Sequence, residues 1–390
     1  MSDGPRPQID IEIFGKTDVG LIREHNEDNF LVADVTSGVR TNDGKTPLKC
    51  RVGEKGALLL VCDGMGGAAA GEVASQMAVD SIYEALAASE PQQRDAFARL
   101  VRRSVERANE RIFIQSRDNQ SERGMGTTCT VAALVDSTLV VGQIGDSRCY
   151  ILRDGKLAQV TKDQSLAWQL IEAGAMTPEE AKAFEHANII LQALGVQERV
   201  EVVLSQVDLR KGDVALLCSD GLHGPVSDEE LLAVLVMETD LEKAAQTLIQ
   251  KALDRDGPDN ITVVLARFEG EGLKPPAPED VVTFVAYDPG VDPVAEPLPG
   301  EAPTIEIPTG LPKELVNSED VVTKADPGEA PKQPAARGAR SLLAFFFLAL
   351  VAAAAGGIFV MKCERDQALR VDNPTSPTTP TSPTPPTASP

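Results

Sequence analysis

A chain of 390 residues with 37 Lys and Arg against 59 Asp and Glu carries a formal net charge of −22. That balance excludes a nucleic-acid binder, which must neutralise phosphates with basic side chains. Six cysteines with no CxxC pair and no framework spacing exclude a disulfide scaffold and fit a reduced, cytosolic domain.

In chain order, residues 1–10 are charged and proline-bearing and carry no apolar signal segment. Ile9–Val19 alternates loosely and stops at Gly20, predicting a first strand, and Phe30–Val35 predicts a second. Ser37–Lys55 is polar and glycine-bearing, so a loop or hairpin tip is expected. Ala57–Cys62 is wholly apolar and precedes Asp-Gly, as in a strand buried on both faces. Glu72–Ala88 and Arg94–Arg117 have apolar residues at helical spacing. Strands follow at Thr127–Val135, Thr138–Ile144 and Arg148–Arg153, with Asp154-Gly155 as a hairpin turn. Leu166–Ala173 and Pro178–Glu185 read as short helices, Val200–Leu209 and Asp213–Ser219 as strands. Asp228–Val236 and Leu241–Arg255 read as helices, and Asn260–Phe268 as the closing strand. Strands in blocks separated by helix pairs predict an α+β layered domain over residues 1–270.

Beyond it the composition changes. Residues 271–340 hold thirteen prolines and an acidic excess, which predicts a disordered spacer. Glu279–Thr283 and Glu319–Thr323 both read Glu-Asp-Val-Val-Thr, a duplication within that linker. Ser341–Met361 is 21 residues without a charge, bracketed by Arg337, Arg340 and Lys362. As a helix it spans about 31 Å, the thickness of a hydrocarbon core, and predicts a transmembrane segment. Residues 362–390 form a Pro/Thr/Ser-rich tail.

Asp63, Asp146, Asp220 and Asp259 stand at or beside the ends of apolar strands, mostly next to glycine. A carboxylate there is partly desolvated and costly unless paired. Each alone could be an ordinary turn residue. Together with Glu27-Asp28, and without basic partners nearby in sequence, they point to a shared divalent metal cluster. Oxygen-only ligation selects Mg²⁺ or Mn²⁺ over zinc, and three histidines are too few for a His-rich zinc site. Two such ions can activate a water and clamp a phosphoryl group, so no nucleophilic side chain is required. Glycine after Asp63 allows close backbone approach and a carbonyl ligand.

In order and spacing, Glu27-Asp28, Asp63-Gly64-Met65-Gly66-Gly67, Gly145-Asp146-Ser147-Arg148, Ser219-Asp220-Gly221 and Gly257-Pro258-Asp259-Asn260 resemble the signature motifs of the PP2C (PPM) protein phosphatases, bacterial branch. The resemblance spans about residues 10–268. It implies a four-layer α-β-β-α sandwich of two antiparallel sheets flanked by helices, with metals in a cleft between the sheets. It implies that Asp63 bridges two ions, that Asp220 and Asp259 complete one, and that Glu27 and the Gly64 carbonyl serve the other. Asp146 matches a residue that holds a third ion together with Asp220. Asp28 matches a position that orients a metal-bound water, and Arg23 the arginine that binds phosphate. Met65 stands where eukaryotic members carry a histidine. Asp163-Gln164-Ser165, Ala187, Gln192 and Leu222-His223-Gly224 also depart from common family patterns, near the flap over the cleft.

The implied activity is hydrolysis of phosphoserine and phosphothreonine on proteins, opposing a membrane-bound bacterial Ser/Thr kinase. The expected location is the inner membrane, single-pass, with the catalytic domain cytoplasmic. A binding module that keeps the fold without turnover, and a hydrolase of small phosphorylated metabolites, are the competing classes.

Overall fold

Fully apolar runs form the inner strands because both of their faces meet other layers. The computed structural model describes residues 8–66, 70–177, 180–181, 184 and 189–290. They belong to the first of two units, Met1–Glu306; the second, Ile307–Pro390, lies outside the described residues.

The strands are β1 (Asp10–Asp18), β2 (Asn29–Asp34), β3 (Val39–Thr41), β4 (Leu48–Arg51), β5 (Ala57–Cys62), β6 (Gly64–Met65), β7 (Gly126–Thr127), β8 (Cys129–Val135), β9 (Thr138–Ile144), β10 (Arg148–Arg153), β11 (Lys156–Gln159), β12 (Val203–Asp208), β13 (Val214–Cys218) and β14 (Ile261–Glu269). The helices are α1 (Ala70–Ala88), α2 (Arg94–Asp118), α3 (Leu166–Glu172), the single turn α4 (Asp220–His223), α5 (Asp228–Met237) and α6 (Leu241–Leu253). One six-stranded sheet runs β11-β10-β13-β14-β1-β4, the other β12-β9-β8-β5-β2-β3, and every pairing is antiparallel.

Strand alternation builds the layers. In β5, Leu58 and Leu60 pack against α1 and α2, whereas Leu59 and Val61 face the other sheet. In β14, Val264 and Ala266 join that inter-sheet core, whereas Val263 and Leu265 pack against α5 and α6. Three apolar layers therefore separate four layers of secondary structure, in the order helices, sheet, sheet, helices. This is the α-β-β-α sandwich expected.

Antiparallel register also places the site. Asn29 pairs with Cys62, Cys129 with Ile144, Cys218 with Val263, and Asp18 with Ile261. The turns that follow β5, β9 and β13 and those that precede β2 and β14 therefore share one end of the sandwich. Every acidic motif lies in one of those turns.

Two expectations are corrected. Ser37–Lys55 is no simple loop: it supplies β3 to the edge of one sheet and β4 to the edge of the other. Both are short and half-exposed, so they lack the apolar alternation that marks inner strands. The chain also does not leave the domain at residue 270. Residues 271–290 run on across its surface, held by Arg210–Asp280 and Arg102–Asp288 ion pairs and by Tyr287 N–H donating to the Leu204 carbonyl. Ion pairs and backbone bonds, which proline content does not reveal, attach this strap. The helix expected at Pro178–Glu185 falls largely outside the described residues, and the expected membrane helix Ser341–Met361 and the second Glu-Asp-Val-Val-Thr copy do so entirely. Among the described residues no helix is long and apolar enough to cross a membrane.

Candidate active site

Asp63 leaves the buried end of β5, and its backbone is clamped on both sides. Its N–H donates to Thr128 Oγ1 at 3.0 Å, and its carbonyl accepts from Thr128 N–H at 2.8 Å and Thr127 Oγ1 at 2.9 Å. Gly64 follows in a space no other residue fits, because an added Cβ would lie 2.3 Å from the Gly71 carbonyl oxygen and 2.5 Å from that of Glu27. Gly71 in turn makes room for the Glu27 carboxylate, which a Cβ there would meet at 2.5 Å.

Asn260 ties the remaining loops together. Its Oδ1 accepts from Glu27 N–H at 2.8 Å, and its Nδ2 donates to the carbonyls of Val19 and His25 at 2.9 and 3.0 Å. Asp28 is buried, and its Oδ2 accepts from Thr262 Oγ1 at 2.6 Å and Ser219 Oγ at 2.7 Å. Asp146 sits in the turn after β9, where Gly145 takes a left-handed φ of 93° beside Thr128. Gln164, one of the departures from the family pattern, pins that turn: its Oε1 accepts from Gly145 N–H and its own N–H donates to the Gly145 carbonyl, each at 2.9 Å. His223, another departure, is within 3.0 Å of the Asp146 carbonyl through Nε2, and burial pushes its pKa well down, so it is neutral and donates.

The structure thus brings Glu27, Asp28, Asp63, Gly64, Asp146, Asp220 and Asp259 to one end of the sandwich, with Arg23 beside them. Burial raises the pKa of Asp63 well above the carboxylate range, and the charges of Asp28, Asp220, Asp146 and Asp259 push it further. Burial raises Asp28 to about 7, against its two hydroxyl donors, and Asp146 to about 8 with help from Asp220 and Asp163. Burial and Asp259 raise Asp220 as well, and burial raises Glu27. Arg148, next to the Asp146 turn, offers little relief because it is committed to Asp163 at 2.7 Å.

Carboxylates pressed together without countercharge are costly and need a cation. Among the described residues no three such groups close around one point as a finished cage. What marks a seat is the orphaned oxygens: Oδ1 of Asp28, Asp146 and Asp220 are buried with no hydrogen-bond partner. Hard oxygen donors of this kind suit Mg²⁺ or Mn²⁺. Arg23, expected to receive phosphate, here donates to Asp259 Oδ2 at 2.8 Å. More than half of its side chain is exposed, so the tie is weak.

Sequence reasoning missed Gly71, Asn260, Ser219 and Thr262 as organisers. Only Asn260 and Ser219 carried a signal, as neighbours of Asp259 and Asp220 within their motifs.

A family model described as protein phosphatase 2C matches residues 37–256. The chain is 36% identical over 254 residues to the serine/threonine phosphatase stp of Listeria monocytogenes, an alignment covering 64% of this chain and 93% of the relative. It is 40% identical over 251 residues to the serine/threonine protein phosphatase PstP of Mycobacterium tuberculosis, covering 64% of this chain and 44% of that protein. The solved catalytic domain of PstP in complex with two manganese ions superposes with a TM-score of 0.56 at 36% identity, covering 67% of this chain and 99% of that one. The serine/threonine phosphatase of S. agalactiae gives a TM-score of 0.59 at 32% identity, covering 67% and 100%.

Proposed function

Because the chain belongs to the protein phosphatase 2C family and is a metal-dependent protein serine/threonine phosphatase, we propose that the carboxylates at the end of its sandwich seat two Mn²⁺ or Mg²⁺ ions, and a third more weakly. The observation that carries this assignment is the trio of buried, unpartnered oxygens on Asp28, Asp146 and Asp220. When bound, the ions supply an activated water and neutralise charge on the phosphoryl group. Asp63, at the centre of the mutual repulsion, would hold both core ions. Asp220 and Asp259 would complete one site, and Glu27 with the Gly64 carbonyl the other. Asp146 would hold the third ion with Asp220. Asp28, fixed by Thr262 and Ser219, would orient the attacking water and hold its proton. Arg23 would exchange Asp259 for the substrate phosphate, which its planar fork suits.

This assignment predicts an unusual pH dependence. A buried carboxyl with a raised pKa keeps its proton in the folded state after the unfolded chain has lost it. The metal-free protein therefore loses stability as pH climbs from about 4 towards the 7 of Asp28 and the 8 of Asp146. Divalent ions compete with those protons, so the gain in Tm on adding Mn²⁺ should be larger at pH 8 than at pH 5.5, with protons released on binding near pH 6.5. Differential scanning fluorimetry and calorimetry in two buffers measure both. An equal or larger Mn²⁺ gain at pH 5.5 would remove these carboxylates from the metal seat.

The finer reading places the catalytic domain, including the strap to residue 290, on the cytoplasmic side of the inner membrane. Residues 291–340 would act as tether, Ser341–Met361 as anchor and residues 362–390 as an outer tail. Kinase-phosphorylated proteins arise where ATP is, and a membrane Ser/Thr kinase as opposing partner would be met in the same plane, which raises effective concentration. Export-dependent alkaline phosphatase fused after Pro390 should be active, and fused after Gly290 inactive. The reverse pattern would put the domain outside and discard the kinase partner.

A further inference from the structure

The loop before Arg23 is rigidly held and yet displays two large apolar side chains. Leu21 N–H donates to the Gly257 carbonyl at 2.9 Å, and Asn260 fixes the flanking carbonyls of Val19 and His25. Gly20, at a φ of 77°, packs so closely that a Cβ would lie 2.2 Å from the Asp259 carbonyl oxygen. On this fixed backbone Leu21 and Ile22 are 65% and 67% exposed. Single exposed aliphatics are ordinary, but two adjacent ones on a fixed loop that leads directly into Arg23 stand out.

We propose that Leu21 and Ile22 form an apolar rim that takes an aliphatic side chain adjacent to the phosphorylated Ser or Thr of the substrate protein. The inference rests on the phosphatase reading and deepens it by naming a substrate class. Leu21 and Ile22 immediately precede Arg23, so a substrate phosphate on Arg23 would bring its neighbouring residues within reach of them. The carboxylates of Asp259, Glu27 and Asp63 around Arg23 repel acidic flanks, and apolar contact is what this rim offers. Because the loop is already ordered, apolar burial there costs little conformational entropy.

The test uses the full-length protein with Mn²⁺ and two phosphothreonine peptides of equal length and charge, one flanked by Leu and Val, the other by Asn and Ser. The aliphatic peptide should have about tenfold higher kcat/KM, mainly through KM, the scale expected of an apolar subsite. The double variant Leu21→Ser, Ile22→Ser should bring that ratio close to one. Equal kcat/KM for both peptides in the unaltered protein, or an unchanged ratio in the variant, overturns the rim. Hydrolysis of p-nitrophenyl phosphate by the unaltered protein, which has no flanking residues to read, separates this failure from failure of the hydrolase reading itself.

Discussion

Asp63→Asn should cut phosphopeptide hydrolysis by a factor on the order of a thousand or more while raising the melting temperature of the metal-free protein. The two effects share one cause. Burial and then the charges of Asp28, Asp220, Asp146 and Asp259 make Asp63 the carboxyl under the greatest electrostatic load. Asparagine keeps its shape, and the clamp from Thr127 and Thr128 grips backbone atoms that the change leaves alone. In the metal-free fold Asp63 must keep a proton that the unfolded chain releases at neutral pH, and asparagine removes that cost, a gain of about 1–2 kcal/mol as is common when function has been built at the expense of stability. The same change removes the proposed bridge between two ions, so the Tm gain on adding Mn²⁺ should shrink sharply. Phosphate release and scanning fluorimetry with EDTA or Mn²⁺ measure these effects. Full turnover at saturating Mn²⁺ would refute the bridging role. A lower metal-free melting temperature would show that Asp63 stabilises the fold rather than straining it.

Much of this site was legible because each acidic motif is local. An apolar run such as Ala57–Cys62 ends in Asp-Gly, and the chemistry of a desolvated carboxylate follows from those residues alone. The strand pattern was legible for the same reason: β5, β9 and β10 are interior and apolar, so periodicity bounds them. What sequence could not show depends on contacts between distant segments. Gly71 matters only because the Glu27 carboxylate arrives beside it, and Asn260 only because three loops meet at its amide. Gln164 and His223 read as departures from the family, yet both buttress the Asp146 turn. The strap at 271–290 was hidden by composition. Its prolines predict disorder, whereas Asp280 and Asp288 find Arg210 and Arg102 roughly 70 and 186 residues away.

Asp213→Ala should destabilise the domain by about 3–5 kcal/mol, the cost of leaving a buried charge without its partner. Arg153 and Asp213 are 8% and 1% exposed, and the pair is bidentate, with Nε and Nη2 donating at 2.9 and 2.6 Å. The guanidinium also donates to the carbonyls of Asp208 and Asp280, and Asp213 Oδ2 accepts from Arg210 N–H at 2.8 Å. Removing the carboxylate strands Arg153 at the place where β10, the end of β12 and the strap meet. At a few degrees per kcal/mol for a domain of this size, Tm should fall by about 10 °C. Neither residue belongs to the carboxylate end of the sandwich, so kcat below the melting range should hold, which separates this loss from that of Asp63→Asn. The paired change Arg153→Met, Asp213→Leu should recover most of the stability, because it deletes both charges and fills the space with apolar volume. A single variant that melts within 2 °C or so of the parent would mean that water already reaches the pair, and that the strap is held by its other ties, to Arg210, Arg102 and Leu204.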